Sequence, residues 1–159
     1  MKLPFPEFTY CIDTSAIIDI RRRQYPPDVF ESLSLKLDDI IDGGQIIAPH
    51  EVLRELGSID DEVLKWAKVH RHMFRDLDDV QVTIVKEVMA NFPRLVDVRK
   101  TTPAADPYIV ALAKIEGATV ISSEGWGDMN RPRIPDVCRT YAIPHMSALE
   151  FFRHRGWKF

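Results

Sequence analysis

Four carboxylates set far apart along the chain, Asp13, Glu55, Asp106 and Glu124, are the residues whose types and positions could do chemistry. Carboxylate oxygens suit hard divalent cations, and Mg²⁺ commonly binds a few of them while keeping several waters. Brought together, such acids could hold a cation that acts on a phosphate ester. Each also has an ordinary reading. Asp13 follows a run too apolar for a stray charge, and a short Asp side chain there caps the next helix by accepting backbone N–H bonds. Asp106 precedes Pro107, a common way to begin a helix. Glu55 can pair with Arg54 or stand in solvent, with Glu51 one turn away on the same face, and Glu124 can be a loop acid. The metal reading rests on the combination. No His or Cys cluster competes with it, since His50, His70, His72, His145 and His154 are scattered and read as surface or partly buried.

Positioning these acids requires strands and helices that end on them. Residues 8–12, FTYCI, are apolar on both faces, as in a buried strand. Asp13 ends that strand, and SAIIDIRRR reads as a helix with a basic end, broken by Tyr25, Pro26 and Pro27. A second helix from about Asp28 places Phe30, Leu33, Leu37, Ile40 and Ile41 on one face and stops at Gly43 and Gly44. QIIA is the next strand, with Pro49 in the first turn of the helix that carries Glu51 and Glu55. Ser58 starts a helix running through Trp66 to Phe74, and another spans Asp79 to Asn91, making an all-helical middle section. Leu95 to Val98 reads as strand or loop. Asp106-Pro107 opens YIVALAKIEG, Gly117 closes it, and ATVISS is a buried strand ending at Glu124. Residues 124–136 are rich in Gly and Pro and read as loop, Tyr141 to Ile143 as a weak strand, and MSALEFFRHRGWKF as a helix between Ser147 and Gly156. Strands separated by helices favour a parallel sheet covered on both faces, with ligands beyond the strands' carboxyl ends. Asp13 and Glu124 both stand there.

The 159 residues suit one domain, 1–159, without internal repeats. A composition 45% hydrophobic and 28% charged is that of a globular protein rather than a disordered tail. No apolar run approaches the roughly 20 residues of a membrane span, and the first residues lack a signal-peptide core, so the expectation is a cytoplasmic protein without a membrane partner. Cys11 and Cys138 have neither zinc-site spacing nor scaffold density and read as reduced and structural. A net charge of −3 argues against strong nonspecific nucleic-acid binding, so any nucleic-acid surface must be local. Arg21 to Arg23, Arg131, Arg133 and the tail RHRGWKF are the basic candidates, the tail with an aromatic ring for stacking. Basic runs at helix ends also serve simply to complement the helix dipole.

The order of these motifs resembles the PIN-domain nucleases, including the toxins of VapC-type toxin–antitoxin pairs. YCIDTSAII resembles that family's opening strand, first acid (Asp13) and adjoining Thr14 and Ser15. Glu55 in EVLREL resembles the second acid, with Glu51 as a substitute, and Asp106 in AADPYIVALAKIEGATVISSE the third. At the last position the family usually has an Asp after a small hydroxyl residue, where this chain has Ser122-Ser123-Glu124, with Asp128 as an alternative. The Pro-containing stretch from Gly125 to Pro135 departs from compact members and looks closer to a PIN-like subgroup. The resemblance implies a PIN-like three-layer α/β/α domain with a mostly parallel central sheet. It also implies a metal-dependent endoribonuclease, the toxin of a type II toxin–antitoxin pair. Asp13, Asp106 and Glu124 would hold Mg²⁺ or Mn²⁺ directly or through water, and Glu55 would complete the anionic pocket or orient the nucleophile. Its partners would be an RNA substrate and a protein antitoxin, with an apolar face available to that antitoxin or to a second copy in a homodimer.

Two other readings compete. One keeps the PIN-like fold as a catalytically weak or inactive nucleic-acid-binding or assembly module, motivated by Glu124 and the modest charge. The other is a phosphoacceptor domain with Asp13 phosphorylated, which lacks the neighbouring acidic pair and lysine expected there.

Overall fold

The structure, a computed structural model, describes residues 9–96, 104–128 and 130–159. Five short strands, β1 (Tyr10–Ile12), β2 (Ile46–Pro49), β3 (Phe74–Arg75), β4 (Thr119–Ile121) and β5 (His145–Met146), pair in parallel in the order β3-β2-β1-β4-β5. Parallel neighbours need crossovers, and helices supply them. These are α1 (Thr14–Ile18), which continues into a π-helical turn (Asp19–Arg23), α2 (Glu31–Asp42), α3 (His50–Gly57), α4 (Asp61–Val69), α5 (Asp79–Asn91), α6 (Asp106–Glu116), α7 (Ile134–Thr140) and α8 (Ala148–His154).

Alternate residues of a strand face opposite sides of its sheet, so β1 shows what covers each face. The Cys11 thiol lies 3.8 Å from the Ile109 carbonyl of α6. On the other side, the Tyr10 ring meets Phe151 of α8 edge-on at 4.8 Å, and its hydroxyl is hydrogen-bonded to His154 Nδ1 at 2.7 Å. With α6 on one face and α8 on the other, the molecule has three layers, and every residue of β1 is buried. The expected α/β/α architecture is therefore present, with a sheet that is wholly rather than mostly parallel among the described residues. Burial raises the Cys138 thiol to about 12 and raises Cys11 further, which fits two buried, reduced structural cysteines.

Several boundaries differ from the sequence expectations, each for a local reason. The second helix begins at Glu31, with Phe30 as its N-cap residue. Pro49 ends β2 and caps α3 rather than lying within its first turn. The next helix begins behind Asp60, whose side chain accepts from the Val63 amide at 2.9 Å, while Ser58 closes the preceding helix. That helix stops at Val69, and the chain passes through a 3₁₀ turn (Arg71–Met73) into β3, so the middle section is not all helical. The two residues of β3 are too few to display strand periodicity. The Pro-rich loop gives way at Ile134 to α7, and the last strand is His145–Met146 rather than Tyr141–Ile143. Leu95 lies buried in a turn, whereas Asp97 and Val98 fall outside the described residues. His70 is buried, with Nε2 3.3 Å from Asp38 and Nδ1 3.2 Å from Asp42, so it is neither a surface nor a partly buried residue.

The aromatic cover on the α8 face gives a direct test. Phe151 is fully buried and touches the rings of Tyr10, Phe152 and Trp157. Phe151→Ala should cost about 3–5 kcal/mol in urea unfolding. A loss below about 1 kcal/mol would contradict this packing.

Candidate functional site

The chain runs from β1 outward through β2 to β3, then returns to β4 on the other side of β1. Strand order thus reverses between β1 and β4, and an open parallel sheet offers its ligand crevice beyond the carboxyl ends at such a point. Asp13 leaves β1 there, and Ser122 and Glu124 leave β4. The order also differs from the 2-1-3-4-5 sheet of response-regulator folds.

Asp13 is 2% exposed and caps α1, with Oδ1 accepting from the Ala16 amide at 2.8 Å. Capping is only part of its role. Ser15 Oγ lies 2.8 Å and 2.9 Å from its two carboxylate oxygens, and Ser122 Oγ donates to Oδ2 at 2.6 Å. The serine oxygens in turn accept backbone amides at the end of β4, Ser15 from Ser123 and Ser122 from Glu124, both at 3.1 Å. Two strands are thus tied through one carboxylate. Burial pushes the Asp13 carboxyl up to about 7; the bonds from Ser122, Ala16 and Ser15 oppose that rise, and the Glu124 charge adds to it.

The other acids approach from different elements. Glu55, on α3, uses Oε1 to accept the Ala105 amide at 2.5 Å, which fixes α3 against the start of α6. Asp106 is the first residue of α6, where Ala105 is the cap and makes no side-chain cap bond, so Asp106 is not the helix cap. Glu124 Oε2 accepts the Ile134 amide at 3.1 Å, at the start of α7. All four carboxylates line one cleft of about 910 Å³, together with Thr14 and Ser15. Glu51 and Asp128, the sequence alternatives, do not line it; Asp128 Oδ1 instead accepts the Asn130 and Arg131 amides in its own loop.

This donor set is carboxylate and hydroxyl oxygen, the chemistry a hard divalent cation takes. Thr14 Oγ1 adds a buried oxygen without a hydrogen-bond partner among the described residues. The same residues do not form a closed cage: among the described residues, no three Asp, Glu, His or Cys stand as a ready metal-binding group. The donor types fit such an ion, and the arrangement is an open cleft in which water would complete its shell.

Basic residues divide sharply. Arg21 donates to Ser34 at 2.5 Å and lies over the Trp66 ring, Arg22 pairs with Asp60, and only Arg23 of that run reaches the cleft. Arg131 and Arg133 line it as well, joined by Arg94, which the sequence reading did not single out. The RHRGWKF tail does not line it, and Trp157, partly buried, instead stacks on Phe152 against the core. Ser122 was visible as a small hydroxyl before the acid, although its bond to Asp13 was not. Arg94 carried no local signal, since it follows α5 in a turn.

The sign of the pH effect follows from Asp13. Its folded carboxyl titrates at about 7 against an ordinary 3.8, so its contribution to stability is present below about pH 4 and is lost as pH rises through 7. In metal-free buffer, Asp13→Asn should melt above the wild type, by a margin that grows from about pH 4 to pH 7 and then levels. A margin independent of pH would show that the carboxylate is not held this way.

Solved structures share this architecture at low identity. FitAcB from Neisseria gonorrhoeae is 16% identical, with 87% of this chain and 96% of that one covered at a TM-score of 0.53. PAE2754 from Pyrobaculum aerophilum is 14% identical over 85% of this chain and 97% of that one, at a TM-score of 0.39 that is too low to support an argument. The likeness to FitAcB is one of fold, and the three-layer domain with its parallel sheet is PIN-like. No curated protein matches the chain. The family described as a domain of unknown function, DUF4411, matches residues 10–159, and the chain belongs to that family.

Proposed function

We propose that this protein is a metal-dependent endoribonuclease, the toxin of a type II toxin–antitoxin pair. One observation carries the reading: Asp13, Glu55, Asp106 and Glu124, far apart in sequence, line a single cleft at the reversal point of the sheet. The PIN-like fold shared with FitAcB supports it. Asp13, Asp106 and Glu124 are the residues that would hold Mg²⁺ or Mn²⁺, whose chemistry when bound is to neutralise phosphate charge and activate water. Ser15 and Ser122 orient the Asp13 carboxylate. Asp106 stands at the N-terminal end of α6, beside the Ala105 amide that Glu55 holds. Glu55, anchored by the Ala105 amide, would orient the nucleophile or complete the anionic pocket. An antitoxin would cover the cleft and keep RNA out.

A second reading, a catalytically weak binding or assembly module, draws on a specific observation. One oxygen each of Glu55 and Glu124 is already occupied by a backbone amide, and no closed ligand group exists among the described residues. Calorimetric titration with Mn²⁺ separates the two. A nuclease should show a site that disappears in Asp106→Asn, and its bound cation should raise the melting temperature; an inert module should show neither.

The activity test uses metal-loaded protein on single-stranded RNA. Asp13→Asn and Asp106→Asn should each slow cleavage about a hundredfold or more. Equal rates in wild type and both variants would overturn the nuclease reading. Expressed alone in a cell, the wild type should arrest growth and Asp13→Asn should not; growth with active wild-type nuclease would keep the chemistry and remove the toxin.

A further inference from the structure

Four arginines reach the cleft from three separate elements: Arg23 from the π-helical turn after α1, Arg94 from the turn after α5, and Arg131 and Arg133 from the loop between β4 and α7. All four are exposed, and among the described residues none takes part in an ion pair. Arg94 Nη1 also reaches the Asn130 carbonyl at 3.4 Å, so the turn after α5 touches the loop that carries the other two. Among the described residues, then, no acid of the cleft neutralises these four guanidinium groups.

The loop explains how two of them stay free. The carboxylates of the loop, and that of Asp136 in the first turn of α7, bind backbone amides instead of guanidinium groups. Asp136 Oδ2 accepts the Gly127 and Arg133 amides at 2.7 Å and 2.8 Å, and Asp128 Oδ1 accepts the Arg131 amide at 2.7 Å. Glu124 Oε2 takes the amide of Ile134, next to Arg133. The fold back is tight: a Cβ on Gly127 would lie 2.1 Å from the Arg131 carbonyl and 2.9 Å from Asp136 Oδ2, so only glycine fits. The backbone of both arginines is therefore fixed while their side chains line the cleft.

We propose that Arg23, Arg94, Arg131 and Arg133 are a phosphate-binding rim that holds a single nucleic-acid strand over the carboxylates, with the loop Glu124–Arg133 as the arm presenting two of them. The proposal deepens the nuclease reading and rests on it for the kind of strand. A guanidinium group grips phosphate oxygens through a planar fork of donors, and a strand offers phosphates in series to donors from three elements. Ile59, Pro93, Leu95 and Val96 add an apolar lining against which an unstacked base can lie. An acidic peptide could meet the same guanidinium groups but has no bases to lay against this lining. The net charge of −3 means that attraction for such a strand is local to this rim.

The test uses the full chain carrying Asp13→Asn, in EDTA, with a fluorescein-labelled single-stranded RNA of mixed sequence followed by anisotropy across salt concentrations. Four phosphate contacts predict a slope of log K against log salt of about −3. Arg23→Gln, Arg94→Gln, Arg131→Gln or Arg133→Gln should each flatten it by about 0.7 and weaken binding severalfold, with melting temperature unchanged. Arg71→Gln, exposed and outside the cleft, should change nothing. Equal slopes in all proteins, an equal effect at Arg71, or displacement by polyglutamate as readily as by unlabelled RNA would overturn the rim. Wild-type cleavage assays separate the two ideas. Arginine-dependent binding without cleavage removes the nuclease and keeps the rim, whereas cleavage with unaltered binding in the arginine variants removes the rim alone.

Discussion

The arrangement depends on one costly act, the burial of the Asp13 carboxylate where the strand order reverses. An ionised acid in such a place is tolerated only when its oxygens are engaged. Here an amide from α1 and hydroxyls from Ser15 and Ser122 engage them, and the serines accept amides from the end of β4. Helix, strand and strand are held in register by the group that is also the centre of the site. Stability and function make opposite demands on it. Its charge would be easier to bury as a neutral acid, while the proposed chemistry needs the anion, and a bound cation would reconcile the two.

Much of this was legible from the chain. Asp13 was recognisable because an apolar strand stops at it and a helix follows. α6 was clear from its Asp-Pro opening, its apolar run and Gly117, at φ +64, which ends it where only glycine is comfortable. α5 was legible in its bounds but not in its apolar face, since Val80 and Met89 are exposed while Gln81, Val85 and Val88 are buried. The convergence of four acids was inferable only from their order in the sequence, as a family resemblance. The cleft supplies the geometry that order could not, and it leaves Glu51 and Asp128 outside.

What escaped sequence reading was short or non-local. β3 and β5 have two residues each, below any useful period, and they count as strands because a neighbour offers them a parallel edge. The burial of His70 depends on Asp38 and Asp42 from α2, which no pattern around His70 announces. The Arg21–Arg23 run shows the same limit. Three identical neighbours reach a serine and an indole ring, a carboxylate, and the cleft, and only the packing of other elements distinguishes them.

The bond between Ser122 and Asp13 joins residues 109 positions apart. Its sheet pairing, β1 with β4, skips both intervening strands, and contacts so distant in sequence form late because a long loop must close first. During synthesis, a chain that has emerged only through α5 holds Asp13 and Glu55 but neither β4 nor the arginine-bearing loop. The cleft is complete only after β4 and the loop that follows it have been made, so a ribosome making this protein works beside an incomplete site until that stretch has emerged.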